Sequence, residues 1–201
     1  MIALVDYGAS NLKSVAKAIA YLGYQARVTS SPQEVEQARA VVLPGVGAAR
    51  ATVEGLEQSG LGAAIRRVVA QGRPFLGLCI GLQVLFTISQ EGGGCPCLDI
   101  IPGEVVRLPA GLKVPHMGWN RVWQRQAHPI YDGIPDGAYF YFVHSYYASP
   151  REPELVAGET EYGVTFPSII IRDNLVATQF HPEKSGQVGL RLYRNFLSQV
   201  S

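Results

Sequence analysis

The stretch Pro74-Phe75-Leu76-Gly77-Leu78-Cys79-Ile80-Gly81-Leu82-Gln83-Val84-Leu85-Phe86 decides the fold. An apolar, strand-like run opens it, a helix-like run closes it, and a cysteine between two glycines sits at the junction. A strand that turns sharply into a helix brings backbone close to the residues two before and two after the turning point, so both must be small. Here both are glycine, and the tip of the elbow is Cys79. Such a turn holds the sulfur clear of the sheet at the positive end of a helix, where a thiolate is favoured. A structural cysteine buried in a tight turn would leave the same local pattern.

Outward from this turn, strand and helix patterns alternate through the first half of the chain. Ile2 to Val5 is a short apolar run, and Leu12, Val15, Ala16, Ile19 and Ala20 follow at helical spacing before Gly23. Ala26 to Thr29 reads as a strand. Ser31-Pro32-Gln33-Glu34 matches a capping box with proline at the first helical position. Ala40 to Leu43 is a third strand, Leu61 to Val69 a helix, and Phe75 opens the fourth strand. Apolar strands covered on both faces and separated by helices predict an α/β fold, a three-layer sandwich around a mostly parallel sheet. The second half adds an antiparallel region: Glu104 to Leu108, Tyr139 to Tyr147, Ile169 to Arg172 and Leu175 to Phe180 read as strands. Val188, Leu192, Phe196 and Val200 mark a closing amphipathic helix. No repeat or linker divides residues 1–201, so one domain is expected.

Composition narrows the chemistry. With 201 residues, 47% of them apolar, the chain can bury one core, and its net charge of +1 gives no electrostatic case for nucleic acid or an anionic membrane. No apolar run reaches the length of a membrane span and the start lacks the basic region of a signal peptide, so a cytoplasmic protein is expected. Three cysteines argue against a disulfide framework. Cys95-Pro96-Cys97 lacks further clustered ligands to complete a metal site, which favours plain packing. Gly45-Val46-Gly47 begins like a dinucleotide fingerprint, but Arg50 occupies the third glycine position. Neither metal nor cofactor is expected.

A cysteine nucleophile needs a base, and the base an orienting group. His181 follows the strand Leu175 to Phe180 and is itself followed by Pro182 and Glu183. Residues two apart on extended backbone point to the same side, so Glu183 can reach the imidazole that His181 presents to Cys79. His116 and His144 lack such a neighbour and read as hydrogen-bonded structural histidines; His128 reads as a loop residue. The order nucleophile, base, acid differs from that of the α/β hydrolases sharing the elbow.

With Asp6-Tyr7-Gly8, Asn11-Leu12, Leu43-Pro44-Gly45-Val46-Gly47, Val114-Pro115-His116-Met117-Gly118-Trp119-Asn120, Tyr141-Phe142-Val143-His144-Ser145-Tyr146 and Gln179-Phe180-His181-Pro182-Glu183-Lys184-Ser185, the chain resembles the triad glutamine amidotransferases. Among them it is most similar to the glutaminase subunits of imidazole glycerol phosphate synthase. The resemblance covers nearly the whole chain. It implies that Cys79, His181 and Glu183 hydrolyse glutamine through a glutamyl thioester, and that the oxyanion rests on backbone at Val46, Gly47 and Ile80. It further implies that Gln83, Glu91, His144, Ser145 and Tyr146 bind the substrate. By the same resemblance, ammonia passes to a (β/α)₈ cyclase that forms imidazole glycerol phosphate and an aminoimidazole carboxamide ribonucleotide. The two would form a heterodimer, with Asn11, Trp119, Tyr141 and Lys184 at the interface. Ser10 stands where the family usually carries glycine. A glutaminase of another ammonia-using synthase, or a cysteine amidase or peptidase on the same elbow, is the alternative.

Overall fold

The computed structural model describes residues 1–8 and 11–200, which leaves Ser10 outside the described residues. Its first half runs β1 (Ile2–Val5), α1 (Leu12–Tyr21), β2 (Ala26–Thr29), α2 (Pro32–Gln37), β3 (Ala40–Leu43), α3 (Ala49–Gln58), α4 (Leu61–Ala70), β4 (Phe75–Leu78) and α5 (Ile80–Gln83). The second half runs β5 (Phe86–Ser89), β6 (Cys95–Pro96), β7 (Ile101–Arg107), β8 (His116–Gln124), β9 (Ala138–His144), β10 (Tyr146–Pro150), β11 (Val156–Glu161), β12 (Thr165–Arg172), β13 (Leu175–Thr178) and α6 (Gly186–Leu197).

The main sheet has the order β2-β1-β3-β4-β13-β12-β11-β8-β9. Its first five strands are parallel and the rest antiparallel. The antiparallel region is thus a continuation of the same sheet and as large as the parallel part, which makes the sheet mixed. A second sheet, β10-β7-β5-β6, packs against one face.

Two-sided burial follows from strand alternation. Ala3, Val5, Val41 and Leu43 face α2, α3 and α4, while Ile2, Leu4, Ala40 and Val42 face α1 and α6. The helices meet these faces with stripes at helical spacing, such as Val15, Ala18 and Ile19 on α1 and Leu192, Tyr193 and Phe196 on α6. At the start of α2, Ser31 Oγ accepts from Glu34 N at 3.4 Å. The reciprocal half of the capping box is replaced: Ser31 N donates to Thr29 Oγ1, and the Glu34 carboxylate pairs with Arg27 at 2.8 Å.

Three expected elements end differently. The helix after the elbow is a single turn, because Val84 and Leu85 leave it and Phe86 starts β5. The expected strand Tyr139 to Tyr147 breaks at Ser145, so that β9 joins the main sheet and β10 the second. The strand before His181 ends at Thr178.

Candidate active site

Three loops at the carboxyl ends of adjacent parallel strands build the site, the position where open α/β sheets place their ligands. β4 ends in Cys79, β3 in Pro44-Gly45-Val46-Gly47, and β13 in the segment leading to His181. Cys79 has φ 54° and ψ −106°, a positive φ that non-glycine residues avoid. Cys79 N donates to Thr178 O at 2.7 Å and fixes the turn to the neighbouring strand. The flanking glycines are sterically required. A Cβ on Gly77 would lie 2.7 Å from the Gly81 carbonyl oxygen, and one on Gly81 2.1 Å from that of Leu43. On Gly45 it would lie 2.1 Å from Ile80 Cγ2 and 2.2 Å from the Tyr7 hydroxyl, so the β3 loop closes tightly over the elbow.

His181 Nδ1 lies 2.8 Å from Glu183 Oε1, with both side chains buried. The contact comes from a 3₁₀ turn, Pro182–Lys184, after an extended His181, and not from strand alternation carried past the proline. Glu183 is itself held: Asn11 Nδ2 donates to Oε1 at 2.6 Å and the Tyr193 hydroxyl to Oε2 at 3.5 Å. The turn is anchored from β9, where His181 N donates to Tyr141 O and Tyr141 N donates to Ser185 Oγ. A Cβ on Gly189 would lie 1.9 Å from the Pro182 carbonyl oxygen, so α6 presses directly on the turn.

Burial disfavours the imidazolium of His181, but Cys79 and Glu183 outweigh it and hold the ring up to about 10. Burial likewise opposes the charge on Glu183, and the His181 bond overrides it to pull the carboxyl below its ordinary value. His181 Nε2 is buried and makes no hydrogen bond of ordinary geometry, although the sulfur is close enough to raise the ring's pKa. Cys79 Sγ instead lies 3.9 Å from Val143 O and 3.7 Å from Gln179 Nε2. The base therefore presents an uncommitted nitrogen beside the nucleophile.

A cavity of about 390 Å³ opens on this group. Val46, Gly47, Cys79, Ile80, Gln83, Glu91, His144, Ser145, Tyr146 and His181 line it, together with Lys184, Pro115 and Val143. Every expected oxyanion and substrate-binding residue is thus gathered here. The size suits a small molecule rather than a peptide. Ile80 is the first residue of α5, so its N–H has no acceptor within the helix and is available to an oxyanion. Glu91 is no solvated charge: its Oε2 accepts from Ala49 N at 2.6 Å and caps α3. Trp119 pairs with Tyr141 across β8 and β9, edge to face at 6.0 Å, and Lys184 Nζ lies 5.9 Å above the Tyr141 ring.

A family model described as glutamine amidotransferase class-I matches residues 3–200. The chain belongs to that family. This amidotransferase is 59% identical over 200 residues to the imidazole glycerol phosphate synthase subunit HisH of Dehalococcoides mccartyi strain 195, covering 100% of this chain and 98% of that one. It is 55% identical to the protein of the same name from Moorella thermoacetica, covering 97% and 93%. Among solved structures it resembles a crystal structure of glutamine amidotransferase, with a TM-score of 0.75 at 20% identity, covering 100% of this chain and 99% of that one. It also resembles PurLQS from Thermotoga maritima, with a TM-score of 0.78 at 14% identity and coverage of 100% and 98%. At these identities the two structures speak for the fold alone.

Behind the cavity, His116 and His144 form a buried chain. His144 Nδ1 lies 2.9 Å from Tyr146 O and can only donate to it, so His144 Nε2 must accept from His116 Nδ1 at 2.9 Å. His116 Nε2 then accepts from Asn120 Nδ2 at 3.3 Å. Burial lowers both rings, His116 to about 4 and His144 to about 3, and half-buried His128 shifts the same way. These rings stay neutral in the folded chain below the ordinary histidine pKa of about 6.5, while the unfolded chain takes up their protons. Stability is therefore lost as pH falls below about 6.5, by up to about 1.4 kcal/mol per pH unit for each of His116 and His144. His181 has the opposite sign. Its raised pKa contributes stability that is complete below about 6.5 and lost as pH rises towards about 10. Urea unfolding from pH 5 to 10 should accordingly show a maximum between pH 6 and 7. A profile that is flat from pH 6.5 to 5 would show that the buried rings accept protons in place.

Proposed function

We propose that this chain is the glutaminase subunit of an imidazole glycerol phosphate synthase, acting as one domain in the cytoplasm. Supporting this is one observation above all: a buried His181–Glu183 pair turns an uncommitted Nε2 towards Cys79, at a strained turn opening on a small cavity. Among the described residues no helix is long and apolar enough to cross a membrane.

His181, held protonated up to about 10, stands as the imidazolium with the Cys79 proton already on it, and the thiolate sulfur attacks the side-chain carbonyl of glutamine. The oxyanion forms against the N–H of Ile80 and, after rotation of a peptide that Gly45 and Gly47 permit, that of Val46. His181 then protonates the departing ammonia, and a water that it deprotonates hydrolyses the thioester to glutamate. Gln83 and the backbone of His144, Ser145 and Tyr146 hold the substrate, and Glu91 faces its α-ammonium. No redox carrier or metal enters these steps.

Ammonia must not escape to bulk water, so a partner has to seal the rim. β8 supplies a surface for it, because Met117, Trp119 and Trp123 point outward beside Arg121, while His116, Asn120 and Gln124 share the inward face with Val122. Trp119 is 55% and Met117 62% exposed, and Tyr139 joins them from β9. Aromatic residues with sparse charge suit an interface core, and this stripe leads through Tyr141 and Lys184 to the cavity. Asn11 reaches Glu183 directly.

A glutaminase assay with and without a (β/α)₈ cyclase subunit tests the reading. Glutamate release should rise on adding the cyclase. Trp119→Ala should weaken assembly by about 2 kcal/mol, roughly 30-fold in Kd, and lower the stimulated rate without an early melt. A Trp119→Ala chain that melts early yet binds the cyclase normally would place the indole in the core and require another docking face.

A further inference from the structure

Beside the nucleophile stands a buried amide that the triad scheme leaves unused. β4 and β13 run parallel with Leu78 opposite Thr178, so the next residues along, Cys79 and Gln179, are neighbours. Gln179 is 0% exposed. An amide at such a place is unfavourable unless its hydrogen bonds are made. Its Nε2 donates to Cys79 Sγ at 3.7 Å, and its Oε1 accepts from Gln83 Nε2 at 3.1 Å.

The two ends of a glutamine amide differ little in shape, so its orientation must be read from its partners. Here a backbone group decides it. Gln83 reaches to within 2.8 Å of Tyr146 O, which can only accept, so that end of Gln83 is the NH₂ group. His144 Nδ1 binds the same carbonyl and fixes its place. The second hydrogen of the Gln83 NH₂ goes to Gln179, which must therefore present its oxygen there. What remains of Gln179 is an NH₂ group, and it faces the sulfur.

We propose that Gln179 is a further catalytic residue, which donates an N–H to the Cys79 sulfur and is held in that polarity by Tyr146 O through Gln83. The proposal rests on the reading of Cys79 as the nucleophile. A donor favours a negative sulfur over a neutral thiol or thioester, because the bond is stronger to the charged form. It therefore acts twice: before attack, and again when the sulfur regains its charge as the thioester is hydrolysed. It also fixes the direction of the sulfur while His181 Nε2 remains uncommitted.

The test is the rate of alkylation of Cys79 by iodoacetamide from pH 5 to 10, read at the Cys79 peptide by mass spectrometry. The intact chain is compared with Gln179→Met and Gln83→Glu. Methionine keeps the length of the side chain and removes the N–H. Gln179→Met should slow alkylation at neutral pH about tenfold, the equivalent of one pH unit, and converge with the parent near pH 10. Its kcat for glutamine hydrolysis should fall with little change in KM. Gln83→Glu places a carboxylate where the NH₂ stood and turns the Gln179 amide over, so it should slow alkylation similarly with Gln179 still present. A folded Gln179→Met chain that alkylates like the parent at every pH, or that changes only KM, overturns the proposal. If Gln179→Met does not fold, Gln83→Glu decides alone, and unchanged alkylation overturns it. Alkylation needs no glutamine, so a chain that alkylates as expected but releases no glutamate even with the cyclase present supports this inference while refuting the glutaminase reading.

Discussion

Cys79→Ala should abolish glutamate release, a loss of about 10⁵-fold or more, and shift the melting temperature by only a few degrees. The substitution removes one sulfur atom from a turn whose geometry is set by other things. Gly77 and Gly81 leave room for the close approach of strand and helix, and the Cys79 N–H bond to Thr178 O belongs to the backbone. The side chain makes only long contacts, to Val143 O and Gln179 Nε2, so little packing is lost. Chemistry, in contrast, has no substitute, since Cys95 and Cys97 are buried in and beside β6. Burial, reinforced by Cys95, pushes the Cys97 thiol up to about 12, where it is inert at neutral pH. With the cyclase present, ammonium salts should still support the synthase reaction, because only the ammonia source has been removed. Retained glutamine hydrolysis would mean that the nucleophile lies elsewhere. Early melting would mean that the turn depends on the sulfur.

What could be read in the sequence is what backbone and packing dictate locally. The elbow was legible because steric demand at two fixed positions leaves glycine as the residue that fits, and the distances a Cβ would meet there bear this out. Strands β1, β3 and β4 were legible as short apolar runs with turn residues between them, and β2 as the stretch that leads into the capping box. Helix α3 was not, because its buried face consists of Ala49, Thr52 and Leu56 and its interior carries Gly55. A Cβ on Gly55 would lie 2.8 Å from the Tyr7 carbonyl oxygen, so close packing on β1's exit, not helix propensity, chose that residue. β8 escaped for another reason: its large apolar side chains point outward, which obscures the pattern by which a half-buried strand is recognised. In the site, the partnership of His181 and Glu183 was visible from their spacing, but the 3₁₀ turn that makes it was not. Gln179 gave a signal that spacing alone does not rank, a polar amide continuing the apolar run from Leu175. Its meaning needed the register between β4 and β13.

The same geometry separates the base from its orienting group. His181→Asn should remove activity about as completely as loss of the sulfur, because the other side-chain nitrogen at Cys79, the Gln179 amide, can donate but cannot take up a proton, and the triad acts as a unit. Glu183→Gln is different in kind. A glutamine there can keep its oxygen towards His181 Nδ1 and Asn11 Nδ2, and its NH₂ towards the Tyr193 hydroxyl, so the ring stays in place. What disappears is the negative charge. Glu183 is one of the two groups that hold His181 up to about 10 against burial, so its neutralisation must lower that value. The sign for stability follows: His181 would lose its proton at a lower pH, and the stability it contributes below about 10 would end sooner as pH rises. Glu183→Gln should therefore keep measurable activity, roughly 10²- to 10³-fold below the parent, and the alkaline limb of its kcat/KM profile should move to lower pH. Both are read from initial rates of glutamate release between pH 5 and 10, alongside urea unfolding over the same range. Parental activity in Glu183→Gln would show that the ring is oriented by another group. Activity as low as that of His181→Asn, with an unmoved pH profile in the residual rate, would show that Glu183 holds the turn together rather than the charge on the ring.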